Sequence, residues 1–131
     1  MGKTDNNRLF KKSLDEKDAE ISELAKKIHL PPVGAFRLLQ NGYFVAKIQI
    51  EYRKLENNEV NTCGDLKDIL RGQSREIDPG AYGIKPESHI RLKVKVIGGK
   101  DVFANKLFSY VPGAETIQYE ITGTTLNNTL Q

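Results

Sequence analysis

The chain contains no tryptophan, one cysteine, two histidines and no apolar run near the ~20 residues that a membrane-crossing helix requires. Each scarcity removes a class of function. With Cys63 alone there is no internal disulfide, and Cys63 is either a small buried apolar side chain or a free thiol. His29 and His89 lie far apart in the sequence and share no metal-ligand spacing with Cys63, so neither a zinc site nor a cluster of mutually tuned catalytic groups is visible. The sequence therefore points away from an enzyme and implies neither a metal nor any other cofactor. Gly98-Gly99-Lys100 lacks the remaining glycines and the following helix of a phosphate loop and reads as a turn.

Charge of one sign is also scarce. The net charge of +3 comes from 20 basic and 17 acidic residues interleaved along the chain, which leaves a weak long-range field. With no tryptophan and a modest aromatic content of 8%, the stacking platforms of single-strand binders are not evident either, so no nucleic-acid partner is expected. The start, Met1-Gly2-Lys3-Thr4-Asp5-Asn6, has no apolar leader, and Asn6 stands where a myristoylation signal carries a hydroxyl. The default expectation is a cytoplasmic protein, unless another export route is used.

What is present is ordinary globular composition, 38% apolar and 28% charged, in 131 residues, which is enough for one core and too little for two. Residues 1–12 are polar and basic without a sustained period and read as a mobile arm. Residues 13–30 read as an amphipathic helix, opened by the capping box Ser13 and Glu16 and stopped by Pro31 and Pro32. Phe10, Leu14, Ile21, Leu24 and Ile28 gather into one stripe along it. That stripe covers either the domain's own sheet or a second copy or partner; the latter would make a homo-oligomer.

After the prolines the period changes from 3.6 to 2. Phe44, Ala46, Ile48, Ile50 and Tyr52 alternate with Val45, Lys47, Gln49 and Glu51. The pattern returns at Ile90, Leu92, Val94 and Val96, and at Ile117, Tyr119 and Ile121. A less pure strand covers 103–110, and Ser74 to Ile77 reads as a short linking strand. Asn41-Gly42, between Ala35–Leu39 and this first long strand, predicts a tight hairpin. Strands with one wet face and no intervening helices predict a mainly β fold, an immunoglobulin-like sandwich of two antiparallel sheets over residues 34–131. Arg91, Lys93 and Lys95 place three cations on one strand face. Acids such as Glu51 can partner them from neighbouring strands, so the row reads as a solvated face, the alternative being a site for an anionic lipid head group or an acidic partner.

Three segments, taken in order, resemble the C-terminal membrane-binding β-sandwich domain of the bacterial cholesterol-dependent, thiol-activated cytolysins. They are Asn41-Gly42-Tyr43-Phe44-Val45-Ala46-Lys47; Ser74-Arg75-Glu76-Ile77-Asp78-Pro79-Gly80-Ala81 leading to Ser88-His89-Ile90-Arg91-Leu92; and Ile121-Thr122-Gly123-Thr124-Thr125-Leu126-Asn127. The resemblance spans roughly residues 34–130. It implies a toxin-related binding module with a membrane lipid or sterol, or a protein, as partner, and it assigns sterol recognition to Thr125 and Leu126. The family's tryptophan-rich undecapeptide has no counterpart, since residues 96–103 read Val-Ile-Gly-Gly-Lys-Asp-Val-Phe. Gly98, Gly99, Val102 and Phe103 are the expected neighbours of Thr125 and Leu126 in a ligand-binding end, with Val102 and Phe103 as a small apolar tip. The competing reading is a structural or assembly protein that oligomerises through its helix.

Overall fold

The computed structural model describes residues 30–131. The expectation for the arm at 1–12 and, up to residue 29, that for the helix at 13–30 lie outside these residues. Ten strands form two sheets: β1 (Pro32–Val33), β2 (Ala35–Gln40), β3 (Ala46–Arg53), β4 (Val60–Gly64), β5 (Ser74–Ile77), β6 (His89–Val96), β7 (Val102–Phe103), β8 (Phe108–Tyr110), β9 (Thr116–Gly123) and β10 (Asn128–Leu130). The larger sheet runs β1-β8-β6-β3-β4, with β7 also paired to β6, and the smaller runs β10-β9-β2-β5.

The period-2 alternation places one apolar row per strand on the inside. Ile48 and Ile50 of β3, and Ile90, Leu92 and Val94 of β6, are fully buried, and they share a core with Phe36 and Leu38 of β2 and Ile121 of β9. The ring of Phe36 meets that of Phe108 edge-on across the two sheets at 5.7 Å, in the geometry aromatic pairs favour. Lys47, Gln49, Glu51 and Arg53 then occupy the outer face of β3, opposite Lys95, Lys93, Arg91 and His89 of β6.

The sandwich is mainly β as expected, but its sheets are mixed rather than antiparallel. β2 pairs with β9 in parallel and β1 pairs with β8 in parallel. For β2 the difference begins at Asn41-Gly42, where the predicted hairpin does not form. Neither residue takes a positive φ, and the chain does not turn back. It continues alongside β9, with the Asn41 amide donating to the Ile121 carbonyl and that of Tyr43 to Gly123, each at 2.9 Å, and then crosses to the other sheet. Gly42 is needed for space instead, since the Phe44 ring lies against its α-carbon. The 103–110 strand is broken by residues 104–107 into β7 and β8, and the short strands β4 and β10 were not anticipated. β1 includes Pro32, which suits a sheet edge because it has no amide to donate.

Candidate functional site: the loop end of the sandwich

The strand registers send four connections to one end of the sandwich: residues 41–45, 65–73, 97–101 and 124–127. A buried glutamine ties two of them. Gln40 falls on the inward phase of β2 after Phe36 and Leu38 and is 0% exposed. Its amide nitrogen donates to the carbonyls of Phe44 and Ile69, and its side-chain oxygen accepts from the Gly42 amide. Its own carbonyl accepts from Gly72 at 2.6 Å, so one residue fixes both loops.

The other two connections touch directly. Thr125 and Leu126 are the central residues of a tight turn closed by paired Thr124 and Asn127 backbone bonds of 3.0 and 3.2 Å. The turn begins at Gly123, whose φ of 102° few other residues tolerate. The Asn128 amide nitrogen donates to the carbonyls of Thr124 and Thr125 at 3.2 and 3.4 Å and holds the turn from behind. A Cβ placed on Gly99 would stand 2.6 Å from the Thr125 carbonyl oxygen, so the two loops approach backbone to backbone. Gly98 lies next to the Thr125 methyl.

Of the residues singled out from sequence, Thr125, Leu126, Gly98 and Gly99 are thus brought together. Val102 and Phe103 are not at the tip. They form β7 against Val94 and Lys93; Val102 packs on the core, and Phe103 lies on the outer sheet face beneath the Arg91 guanidinium at 4.4 Å. Several tip residues were not singled out. Leu66 is 82% exposed and Tyr43 67%, with Leu70 and Ile97 also exposed in the same loops, and they join Leu126, which is 90% exposed. Their signal is an apolar residue inside a turn-rich segment, as in Asp65-Leu66-Lys67 or Ile97-Gly98-Gly99. Arg71 stacks on the Tyr43 ring at 4.0 Å.

Charge around this end is sorted by the strands. Each of the three carboxylates in the loops 65–73 and 97–101 pairs with a strand cation: Asp65 with Arg75 at 3.2 Å, Asp68 with Lys47 at 2.8 Å and Asp101 with Lys93 at 3.3 Å. Among the described residues Lys67, Arg71 and Lys100 form no ion pair, so the apolar tips carry a cationic rim. The remaining reactive groups lie elsewhere. Cys63 of β4 packs half-buried against the core, and burial pushes its thiol up to about 11. No group of three or more His, Cys, Asp or Glu that could hold a metal ion occurs among the described residues.

These features define a class: a β-sandwich whose one end presents exposed leucines and a tyrosine inside a basic rim. No protein-family model matches the chain, and no curated protein matches it. Among solved structures it is similar to listeriolysin O at 20% identity and a TM-score of 0.44, and to pneumolysin at 15% and 0.44. It is also similar to the human-specific toxin intermedilysin at 18% identity and a TM-score of 0.42. All three are cholesterol-dependent cytolysins, and each match covers 75% of this chain. The chain spans 22% of the length of each toxin.

Proposed function

We propose that this chain is a non-enzymatic binding module that docks end-on against a lipid surface, with Thr125 and Leu126 meeting a sterol and Gly98 and Gly99 holding their turn in place. The observation that carries this reading is the pairing of exposed apolar tips with a rim of Lys67, Arg71 and Lys100 at one end. Interfacial binding combines these two contributions, apolar burial and attraction to lipid head groups. Leucine-sized tips without a tryptophan belt suit shallow contact at head-group depth rather than deep insertion. The sterol assignment draws on the family resemblance of Thr125-Leu126.

Burying Leu126 on contact contributes about 1.5–3 kcal/mol, or roughly a ten- to hundredfold change in affinity. The test is co-sedimentation with phosphatidylcholine vesicles with and without cholesterol, comparing the natural chain with a Thr125→Gly, Leu126→Gly double variant. The reading expects cholesterol-dependent binding that the double variant loses. Equal sedimentation of the two proteins, or none by either, overturns it.

A further inference from the structure

A second feature lies at the opposite end of the larger sheet, on its outer face. Arg53 of β3 stands directly opposite His89 of β6, and Glu51 stands opposite Arg91. Cross-strand neighbours are about 5 Å apart and successive outward residues on one strand about 7 Å apart, so the four side chains form a compact square. Val60 of β4 pairs with Arg53 and walls one side; the segment carrying Asn105 and Leu107, where β7 and β8 part, walls the other. The walls enclose a groove of about 280 Å³.

The donors in this groove are oriented but not used up. Arg91 Nε donates to Glu51 Oε1 at 2.7 Å, and the guanidinium rests on the Phe103 ring, which leaves its terminal nitrogens without a partner among the described residues. Arg53 donates one Nη1 hydrogen bond, to Asn58 Oδ1 at 3.0 Å. The His89 ring nitrogens and the Asn105 amide have no hydrogen-bond partner among the described residues. Two guanidiniums face a single carboxylate, so one net positive charge remains.

We propose that this groove binds a small tetrahedral oxyanion, a phosphate or sulfate monoester, through Arg53, Arg91 and His89, with Asn105 as a neutral donor. Planar guanidiniums held at fixed orientation suit forked hydrogen bonds to such oxygens, and charge-assisted bonds of this kind are about twice as strong as neutral ones. The exposed faces of Val60 and Leu107 leave room for a compact body attached to the anion. Burial and the Arg53 charge lower the His89 pKa, which favours the neutral imidazole in the empty groove. The groups facing it are Arg53 and Glu51 on β3, Arg91 on its own strand and Ser109 on β8. A bound dianion reverses the balance and draws a proton onto the ring.

The experiment is a heteronuclear NMR titration of the full chain with sodium sulfate, referenced to sodium chloride at equal ionic strength, then with glycerol phosphate. Saturable shifts confined to Arg53, His89, Arg91 and Asn105 are expected, tighter at pH 6 than at pH 7.5 for sulfate, which keeps its charge over that range. Arg53→Gln weakens binding about tenfold or more, as loss of a charge-assisted partner should. Glu51→Gln strengthens it by removing the competing carboxylate, so the two variants move in opposite directions and misfolding cannot imitate both. Vesicles containing phosphatidic acid distinguish the source: Arg53-dependent vesicle binding identifies a lipid head group, and binding of the soluble ester alone identifies a free monoester. Shifts that follow ionic strength, or an Arg53→Gln variant that binds like the natural chain, overturn the proposal.

Discussion

Replacing Gln40 with leucine removes no volume from the core yet should cost about as much as a modest core truncation. The side chain is fully buried and serves the Gly42 amide and the carbonyls of Phe44 and Ile69. Ile69 keeps a second partner, because its carbonyl also accepts from the Ala46 amide at 3.1 Å. The groups left unpaired in Gln40→Leu are therefore the Gly42 amide and the Phe44 carbonyl. An orphaned buried group costs about 1–3 kcal/mol, and Phe44, being only half-buried, can recruit water for part of its loss. Extra apolar burial by leucine returns about 1 kcal/mol. The net expectation is a loss of about 2–3 kcal/mol, which for a domain of this size lowers Tm by roughly 10–20 °C. Urea denaturation measures the loss, and amide exchange localises it: Gly42 and Ile69 should exchange faster while the β3–β6 ladder keeps its protection relative to global unfolding. A loss under about 0.5 kcal/mol, or uniform acceleration across both sheets, refutes the idea that Gln40 ties these loops.

Gly99→Val forces a Cβ against the Thr125 carbonyl and must separate the two tip turns; a cost of about 1–3 kcal/mol is expected, with NMR shifts centred on residues 123–128. Cys63, with its thiol pushed up to about 11, should react with iodoacetamide at pH 8 about two orders of magnitude more slowly than an unperturbed cysteine, and unfolding in urea should restore the ordinary rate. His89 has its pKa lowered by burial and by Arg53, so its neutral form is favoured in the fold. Its contribution to stability is present above the unfolded pKa of about 6.5 and is lost as pH falls through it. Urea midpoints should therefore drop between pH 7 and pH 5.5, and His89→Gln should flatten that drop; an unchanged slope would sink the argument.

How much of this was legible in the sequence depends on whether a feature is local. The inward rows of β3 and β6 were visible because an alternating strand states which side chains share a face. Which strands pair was not stated, since β3 pairs with β6 and β2 with β9 and β5, whose residues come much later in the chain. Asn41-Gly42 illustrates the limit: the dipeptide favours a hairpin locally, but the backbone bonds offered by the end of β9 carry the chain onward instead. The sequences of β4 and β10 are mostly polar, and their pairing depends on β3 and β9 already being in place. At the loop end, Gly98-Gly99 does lie against Thr125, while Tyr43, Leu66 and Leu70 sit in turn-rich segments whose local sequence states backbone conformation and not which apolar side chains stay exposed. Gln40 carried a readable signal, a polar residue on an inward phase, which marks a buried hydrogen-bonding hub when no charge is nearby.

Docking end-on requires that the end bearing Leu126, and not the opposite one, meets the lipid surface. An environment-sensitive fluorophore attached in a Cys63→Ala background, once at Leu126→Cys and once at Val111→Cys on the opposite end, tests it most directly with cholesterol-containing vesicles. A blue shift and increased intensity are expected at position 126 and none at position 111. A shift at 111 alone, or at neither position while the protein sediments with the vesicles, would contradict it.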